Sequence, residues 1–167
     1  MKKLFALMLA LCLMLGTAAM AESAVNWEDI APQLEAAGIT GEFVTFDQIA
    51  VKLFIPEGMN AAELPDDSFI GYFAADDGDA IAIQYVDVNG MDLDQYKTIL
   101  EGTEGVSEIE TGTVNGLPCI SYEYNGNMCC SFTTQAGYIL EVVVGPLADD
   151  NAKIGASIIL ASIQSAE

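Results

Sequence analysis

Three turn signals between residues 106 and 144 constrain the fold more than any other feature of this sequence. Asn115-Gly116 and Asn125-Gly126 are strong hairpin signals, because both central residues of a type I′ turn need a positive φ angle. Ala136-Gly137 is a third, weaker turn. The runs between the turns are rich in β-branched and aromatic residues. They predict an antiparallel meander of four strands, at 107–114, 117–124, 128–135 and 138–144.

The N-terminal residues have the pattern of an export signal. Lys2 and Lys3 form a short basic region, residues 4–15 are continuously apolar, and Ala19-Met20-Ala21 provides the small residues of a signal-peptidase site. The apolar run is also shorter than the roughly twenty residues that a membrane span requires. We therefore predict a signal peptide at 1–21, cleavage after Ala21, and a secreted protein, extracellular or periplasmic, with no membrane span in the mature chain.

The mature chain is strongly acidic. Residues 22–167 have the length of one domain of common size, and removal of the two N-terminal lysines changes the formal net charge from −20 to −22. The remaining cations are Lys52, Lys97 and Lys153, and the chain has no Arg or His. This composition excludes nucleic acid and anionic lipid as partners. It is compatible with solubility outside the cell, with attraction of cations, or with docking to a basic protein.

Capping residues and helical spacing predict three helices. The first begins at Asn26 and ends at Gly38, the second begins at Asp92 and ends at Gly102, and the third is capped by Asp149 or Asp150. Their apolar stripes are Trp27, Ile30 and Leu34; Leu93, Tyr96, Ile99 and Leu100; and Ile154, Ile158, Ile159 and Ile163.

Four further strands are predicted before the meander. They form two hairpins, with strands at 42–46 and 49–55 and at 69–75 and 80–88, and the polar connection 60–68 has room for one helical turn. The strands of the meander carry apolar residues on both faces, so helices should cover both sides of the sheet. The predicted class is α+β: an α/β/α sandwich with a mainly antiparallel sheet of about seven or eight strands flanked by helices.

Several short motifs resemble those of the PsbP-like superfamily. They are the strand end Ile55-Pro56-Glu57-Gly58, the segment from Asn89 to Tyr96, the turn Asn115-Gly116-Leu117 and the terminal segment from Ile158 to Gln164. The resemblance covers residues 40–165. It implies an α/β/α sandwich shared by an extrinsic subunit of the photosynthetic oxygen-evolving complex, a Ran-binding protein and many small secreted bacterial proteins. The implied role is a non-catalytic binding or assembly module, with no active site carried over.

The residues themselves point away from catalysis. Without His, the chain lacks the commonest general base and any Ser-His or Cys-His pair. Glu123 and Glu141 each interrupt an apolar strand. With two-residue turns throughout, Glu123 opposes Met128 and Glu141 opposes Phe132, which places both acids on one face. A carboxylate-based hydrolase is therefore formally open, but we expect a face that is partly solvated or lies under a helix end, and no enzyme.

Two acidic loops suggest calcium, which binds carboxylate and carbonyl oxygens on flexible loops. The candidate ligands are Asp76, Asp77, Asp79, Asp87, Asp92 and Asp94. Neither loop matches an EF-hand, and the same residues are those that a hairpin and a helix cap require. An extracellular calcium-binding module is thus an alternative function.

The mature chain keeps three cysteines. The hairpin register places Ser121 opposite Cys130 and Cys119 opposite Phe132, so Cys119 and Cys130 share a face diagonally while Cys129 points away. A Cys119–Cys130 disulfide and two reduced, buried thiols are both compatible with this geometry. The sequence as a whole predicts a secreted binding or assembly module of unknown ligand, for which an extracellular or cell-envelope protein is a candidate partner.

Overall fold

The computed structural model describes residues 23–86, 90–134 and 136–166. The predicted signal peptide therefore lies outside the described residues. The helices are α1 (Trp27–Ala37), α2 (Leu93–Glu101) and α3 (Asp150–Ala161). The strands are β1 (Ser23–Val25), β2 (Gly41–Phe46), β3 (Val51–Pro56), β4 (Asn60–Ala61), β5 (Phe69–Ala74), β6 (Ala80–Val86), β7 (Val106–Val114), β8 (Leu117–Tyr124), β9 (Asn127–Thr133), β10 (Ile139–Gly145) and β11 (Gln164–Ser165).

The strands form two sheets. The larger has eight strands in the order β1-β7-β8-β9-β10-β6-β5-β4, and the smaller has the order β11-β3-β2. The pairing of β1 with β7 is parallel, and the other pairings are antiparallel. The predicted meander is confirmed as β7 to β10, and the α+β class is confirmed with it.

The two Asn-Gly turns have the predicted conformation. Asn115 and Asn125 both have φ 48°, and the glycines that follow them have φ 81° and 76°. Each turn contains two residues, because Val114 pairs with Leu117 and Tyr124 pairs with Asn127. The backbone preferences of asparagine and glycine thus fix the register of β7, β8 and β9.

The third turn differs from the prediction. Ile139 pairs with Thr133, so the connection from β9 to β10 is longer than a two-residue turn between 135 and 138 would be. As a result Glu141 opposes Ser131, and the predicted pairing of Glu141 with Phe132 is wrong. Because successive side chains in a strand alternate between faces, this one-residue difference moves Glu141 to the other side of the sheet.

Helix ends follow the predicted capping residues. In α2 the Asp92 side chain accepts a hydrogen bond from the Gln95 backbone while the Gln95 side chain bonds back, which forms a capping box. In α1 the left-handed Gly38 ends the helix. Asn26 stands at the N-cap position of α1, but its side chain makes no capping hydrogen bond.

The early hairpins differ from the prediction in detail. The residues Asp47–Ile49 form a 3-10 turn between β2 and β3. The connection predicted to hold a helical turn instead contains the short strand β4. Both strands of the first hairpin belong to the smaller sheet.

Both faces of the large sheet are covered, as predicted. The first layer is α2, which packs Tyr96 and Leu100 against one face. On the other face lie α3 and the three-stranded sheet, which share a core with β6, β9 and β10. The outermost element is α1, whose buried Ile30 and Leu34 pack against Ile158 and Ala161 of α3. Among the described residues, no helix is long and apolar enough to cross a membrane.

Candidate functional site

A cavity of about 290 Å³ lies between the meander and the helices α1 and α3. Its walls come from β1, β7, β8, β9 and both helices. A concave, largely apolar space with a few polar groups at its edge is the usual form of a ligand site. The lining side chains that carry a charge or a sulfur atom are Glu108, Glu110, Cys119, Glu123, Met128 and Cys130.

The cavity lies beside an incomplete sheet edge. Strand β1 pairs only with residues 112–114 of β7, so within the described residues the first part of β7 has no partner strand on that side. A bulge lies between Ser107 and Glu110, and within it Glu108 has a positive φ of 54°. Such bulges re-aim side chains and end strand pairing. The flat, open part of the edge is therefore short, at 109–111.

Carboxylates outnumber cations at the mouth of the cavity. Glu108 and Glu110 are exposed, and Glu123 is half-buried and bound by Lys153, with 2.5 Å between Nζ and Oε1. The Glu123 carboxylate raises the pKa of Lys153, and Glu108 and Asp150 add to this effect. Since one ammonium group serves several carboxylates, the mouth keeps a negative field.

Sulfur atoms line the inner wall of the cavity. The predicted diagonal arrangement is confirmed, because Ser121 pairs with Cys130 and Cys119 pairs with Phe132. Cys119, Cys129 and Cys130 are free thiols in this structure. A hydrogen bond from the Cys130 thiol lowers the pKa of Cys119. The Cys119–Cys130 disulfide stays a prediction.

The opposite face of the same strands holds a buried polar network around Glu141, which is 8% exposed. The Tyr122 hydroxyl donates to Glu141 Oε1, and Gln84 Nε2 donates to Oε2 at 2.7 Å. Ser131 Oγ lies 3.5 Å from Oε1, and the Tyr96 hydroxyl lies 3.3 Å from that of Tyr122. The carboxylate is thus paired with several donors, as a buried charge requires.

Burial and the nearby carboxylate keep the tyrosines and the thiol around Glu141 protonated. Burial raises the pKa of Tyr122 far above its ordinary value, and Glu141 raises it further. Burial likewise raises the pKa of Tyr96. Beside them, burial and Glu141 raise the pKa of Cys129 to about 12. These tyrosines and this thiol stay neutral at physiological pH, so the network is suited to hold structure.

Glu123 and Glu141 therefore do not form a pair. Glu123 opposes Met128 as predicted, but Glu141 lies on the α2 side of the sheet. Each carboxylate also has its own partner, Lys153 for Glu123 and Tyr122 for Glu141. The prediction that both acids share one face is wrong, and the arrangement for two-carboxylate hydrolysis is not assembled by these residues.

Two of the candidate calcium ligands, Asp77 and Asp92, are used in local structure. Asp77 Oδ1 accepts a long hydrogen bond from the Asp79 backbone in the turn between β5 and β6, and Asp92 caps α2. Asp87 lies outside the described residues. Within residues 23–86, 90–134 and 136–166, no group of three His, Cys, Asp or Glu side chains is placed to hold a metal ion. Calcium binding by these loops stays a prediction.

Asn115 has a role that the sequence did not reveal. Its Oδ1 accepts a hydrogen bond from the Trp27 backbone at 2.6 Å, and its Nδ2 donates to the carbonyls of Ala161 and Ile163 at 2.8 and 2.7 Å. One turn residue thus holds the start of α1 and the end of α3 beside the cavity. A turn signal predicts the φ angle of such a residue, but not these long-range partners.

Comparison with known proteins supports the fold. No family model matches this chain, and no curated protein matches it. The solution structure of cyanobacterial PsbP (CyanoP) from Synechocystis sp. PCC 6803 is similar, with 11% identity, a TM-score of 0.52, and coverage of 74% of this chain and 91% of that chain. The Ran-binding protein Mog1p of Saccharomyces cerevisiae is 12% identical over 77% of this chain and 97% of its own, with a TM-score of 0.43. The chain has a PsbP-like fold, as its motifs predicted.

Proposed function

We propose that this protein is a non-catalytic binding module that takes a short, extended, basic segment of a partner protein. The segment would lie along the open edge of β7, with an apolar side chain in the cavity. The observation that carries this proposal is the juxtaposition of three features in one place. The cavity, the unpaired part of β7 and the carboxylates of Glu108, Glu110 and Glu123 all meet there.

The open edge supplies backbone hydrogen bonds to an added strand. Val114 and Leu117 form the last hydrogen-bonded pair before the turn. Because the backbone groups of successive residues in β7 point alternately toward β8 and away from it, the amide group of Thr111 faces away from β8. Extended peptides commonly bind by adding a strand to such an edge, while pockets for alternate side chains give specificity. The bulge at Glu108 limits the flat edge to a few residues, which accepts a short segment and disfavours pairing with another whole sheet.

The negative charge of the chain and of the cavity mouth favours a basic segment. The formal net charge of the chain is −20, and the mouth of the cavity has only Lys153 to offset its acids among the described residues. Lysine or arginine side chains on the segment would pair with Glu108 and Glu110. Among the residues that the structure describes, no cation lies within salt-bridge distance of these two glutamates. Such complementarity speeds association and excludes acidic partners.

The same groups are poorly suited to catalysis. The Cys119 thiol has another thiol as its hydrogen-bond partner, and the chain contains no His to act as a base beside it. Glu123 is neutralised by Lys153. Binding is therefore the role that these residues favour.

The test uses two synthetic peptides, one alternating lysine with valine and one alternating glutamate with valine. We expect calorimetry to show saturable binding of the lysine peptide alone, weakened by salt. The double variant Glu108→Gln/Glu110→Gln should weaken binding about tenfold, since each rim pair contributes up to about 1 kcal/mol.

A matched control removes two acids elsewhere. The double variant Asp76→Asn/Asp77→Asn changes the net charge by the same amount in a turn outside the cavity lining. It should leave the affinity unchanged. Equal losses in the two double variants would show that only net charge matters, and binding of the glutamate peptide would rule out the proposed site.

We further propose that the protein acts outside the cytoplasm after removal of residues 1–21. The basic, apolar and small-residue regions of that segment support this location. N-terminal sequencing of the exported protein should give Glu22 as the first residue. Recovery of a chain that still starts at Met1 from the soluble cytoplasm would contradict the proposal.

A further inference from the structure

We propose that the cavity binds a free, single-chain amphiphile with a cationic head and an apolar tail of about ten carbons. The head would lie at the acidic mouth, and the tail would extend between the meander and α3. This inference goes beyond the peptide binding proposed above, because it uses the inside of the cavity and needs no strand added to β7.

Charged and apolar side chains lie at opposite ends of the cavity. At the mouth, Glu123 lies on β8 beside the bulge of β7 that contains Glu108. At the far end, Val25 of β1 pairs with Val114, and Ile30 of α1 completes the lining. Val114 and Ile30 are 4% and 1% exposed. A ligand that fills this cavity therefore has one charged end and one apolar end.

The length of the cavity follows from β8 and α3. Its lining on β8 extends from Glu123 to Cys119, which are four residues and roughly 14 Å apart in an antiparallel strand. The helix follows the same course, because Lys153 bonds to Glu123 at one end and the carbonyl of Ala161 accepts from Asn115 at the other. Between Lys153 and Ala161 the helix rises by about 12 Å. The cavity thus accepts a tail that is longer than any one apolar side chain.

Volume and length both indicate a tail of about ten carbons. A methylene group is similar in size to a water molecule, whose share of the liquid is about 30 Å³, so a cavity of about 290 Å³ has room for roughly ten. A straight hydrocarbon chain with C–C bonds of about 1.5 Å advances about 1.25 Å per carbon, so the length of the lining takes about eleven. Shorter tails leave part of the cavity unfilled, and longer tails extend into the solvent.

The mouth favours a cationic head. Glu108 and Glu110 line the cavity, are exposed, and have no cation within salt-bridge distance among the described residues. Lys153 is already paired with Glu123, with 2.5 Å between Nζ and Oε1. An ammonium head would therefore be attracted by two carboxylates, whereas a carboxylate or sulfate head would be repelled by them. This charge pattern selects an alkylammonium ion over a fatty acid with the same tail.

The test is isothermal titration calorimetry of the protein with hexyl-, octyl-, decyl- and tetradecylammonium, each below its critical micelle concentration. We expect one decylammonium ion per chain. The affinity should rise about fourfold per methylene from hexyl to decyl, and about two hundredfold in total, because each added methylene is buried. From decyl to tetradecyl it should rise less than about fourfold, since the added carbons stay in water. Decanoate should bind about a hundredfold more weakly than decylammonium.

Two leucine substitutions on β8 measure how deeply the tail extends. Ser121 and Cys119 line the same face, and Ser121 is two residues nearer the mouth. In Ser121→Leu the tail meets the new side chain about 7 Å from the mouth, so decylammonium should bind no more tightly than hexylammonium. Cys119→Leu should leave octylammonium binding unchanged and weaken decylammonium binding about tenfold. Circular dichroism and thermal unfolding show whether each variant keeps its fold.

Two double variants test the role of the mouth. Glu108→Gln/Glu110→Gln should weaken decylammonium binding about tenfold and leave the gain per methylene unchanged. Asp76→Asn/Asp77→Asn, which changes the net charge equally in a turn outside the lining, should bind as the wild type does. Equal losses in the two double variants would contradict the assignment of the head to the mouth.

The comparisons of tail length and head charge use the wild-type protein alone, so they decide the proposal even if a variant fails to fold. The proposal is overturned if decylammonium binds without saturation, if the affinity keeps rising steeply to tetradecylammonium, or if decanoate binds equally well. Binding of decylammonium by a protein that does not bind the lysine-valine peptide would support this inference and contradict the peptide proposal.

Discussion

The two faces of β8 and β9 are packed in opposite ways. On the α2 face, Glu141 is enclosed by hydrogen-bond donors from Tyr122, Gln84 and Ser131. On the α3 face, the same two strands present sulfur atoms to a cavity. The contrast is sharpest at Cys129 and Cys130, which are adjacent in sequence and belong to different faces.

This difference separates the residues that stabilise the fold from those that are available to bind a ligand. A fully bonded buried network specifies one arrangement of its members, and a change in any of them leaves another unsatisfied. A cavity gives up packing contacts and leaves room for a ligand. We therefore expect substitutions in the polar network of the α2 face to affect folding, and those in the cavity lining of the α3 face to affect binding.

The largest expected effect concerns thiol reactivity on the two faces. Cys119 has a lowered pKa, so its thiolate forms at a lower pH than that of an ordinary cysteine, while burial and Glu141 raise the pKa of Cys129 to about 12. In the folded protein, iodoacetamide should alkylate Cys119 at least about a thousandfold faster than Cys129 at neutral pH. Mass spectrometry of timed samples checks this. In denaturant the two rates should become similar, and equal rates in the folded protein would contradict the assignment of faces.

The second largest effect concerns stability and compares substitutions of Glu141 on the α2 face and Glu123 on the α3 face. Glu141→Leu leaves the Tyr122, Gln84 and Ser131 donors without their acceptor and should lower the free energy of unfolding by about 3 kcal/mol. Glu123→Leu removes only a partly exposed ion pair with Lys153 and should cost less than about 1 kcal/mol. Urea unfolding of both variants gives the comparison. A similar cost for the two would show that the network contributes little.

A smaller effect on stability compares the asparagines of the two Asn-Gly turns, of which Asn115 bonds to α3. Glycine keeps the positive φ at either position and removes the side chain. Asn115→Gly should cost about 2 kcal/mol, because it removes the bonds to Trp27, Ala161 and Ile163. Asn125 makes no comparable long-range side-chain bond in the described residues, so Asn125→Gly should change stability by less than about 0.5 kcal/mol. Thermal unfolding of the two variants distinguishes these outcomes.

The smallest effect compares two serines on neighbouring strands. Ser131 is fully buried beside Glu141, whereas Ser121 faces the cavity. Ser131→Ala should cost about 1 kcal/mol, and Ser121→Ala should cost almost nothing, since it leaves no buried partner unsatisfied. Denaturant midpoints measured side by side resolve a difference of this size. The reverse order would mean that the cavity wall is more tightly packed than its lining indicates.

Local sequence signals predicted most of the fold for identifiable reasons. Both Asn-Gly turns need a positive φ that few other residues tolerate, so they fixed two registers and placed Cys119 and Cys130 correctly. The helix predicted to begin at Asp92 does begin there, and Asp92 caps it. Ala136-Gly137 has no comparable turn chemistry. The predicted length of the connection between β9 and β10 was therefore wrong, and Glu141 was assigned to the wrong face.

The candidate site could not be predicted in the same way. It depends on the parallel pairing of β1 with β7, on the bulge at Glu108 and on the placement of α1 over α3. These are long-range contacts with no short-range signal. Nothing local in the sequence shows that Tyr122 and Tyr96 meet at a carboxylate.

The contacts of residues 163–166 have a consequence for the order in which this domain can fold. Gln164 and Ser165 complete the small sheet beside β3, Ala166 bonds to Ala50, and the carbonyl of Ile163 is held by Asn115. These residues therefore close a core that is laid out by residues synthesised much earlier. A growing chain whose residues 163–166 are not yet available lacks this closure, so the small sheet is completed only after they have been synthesised.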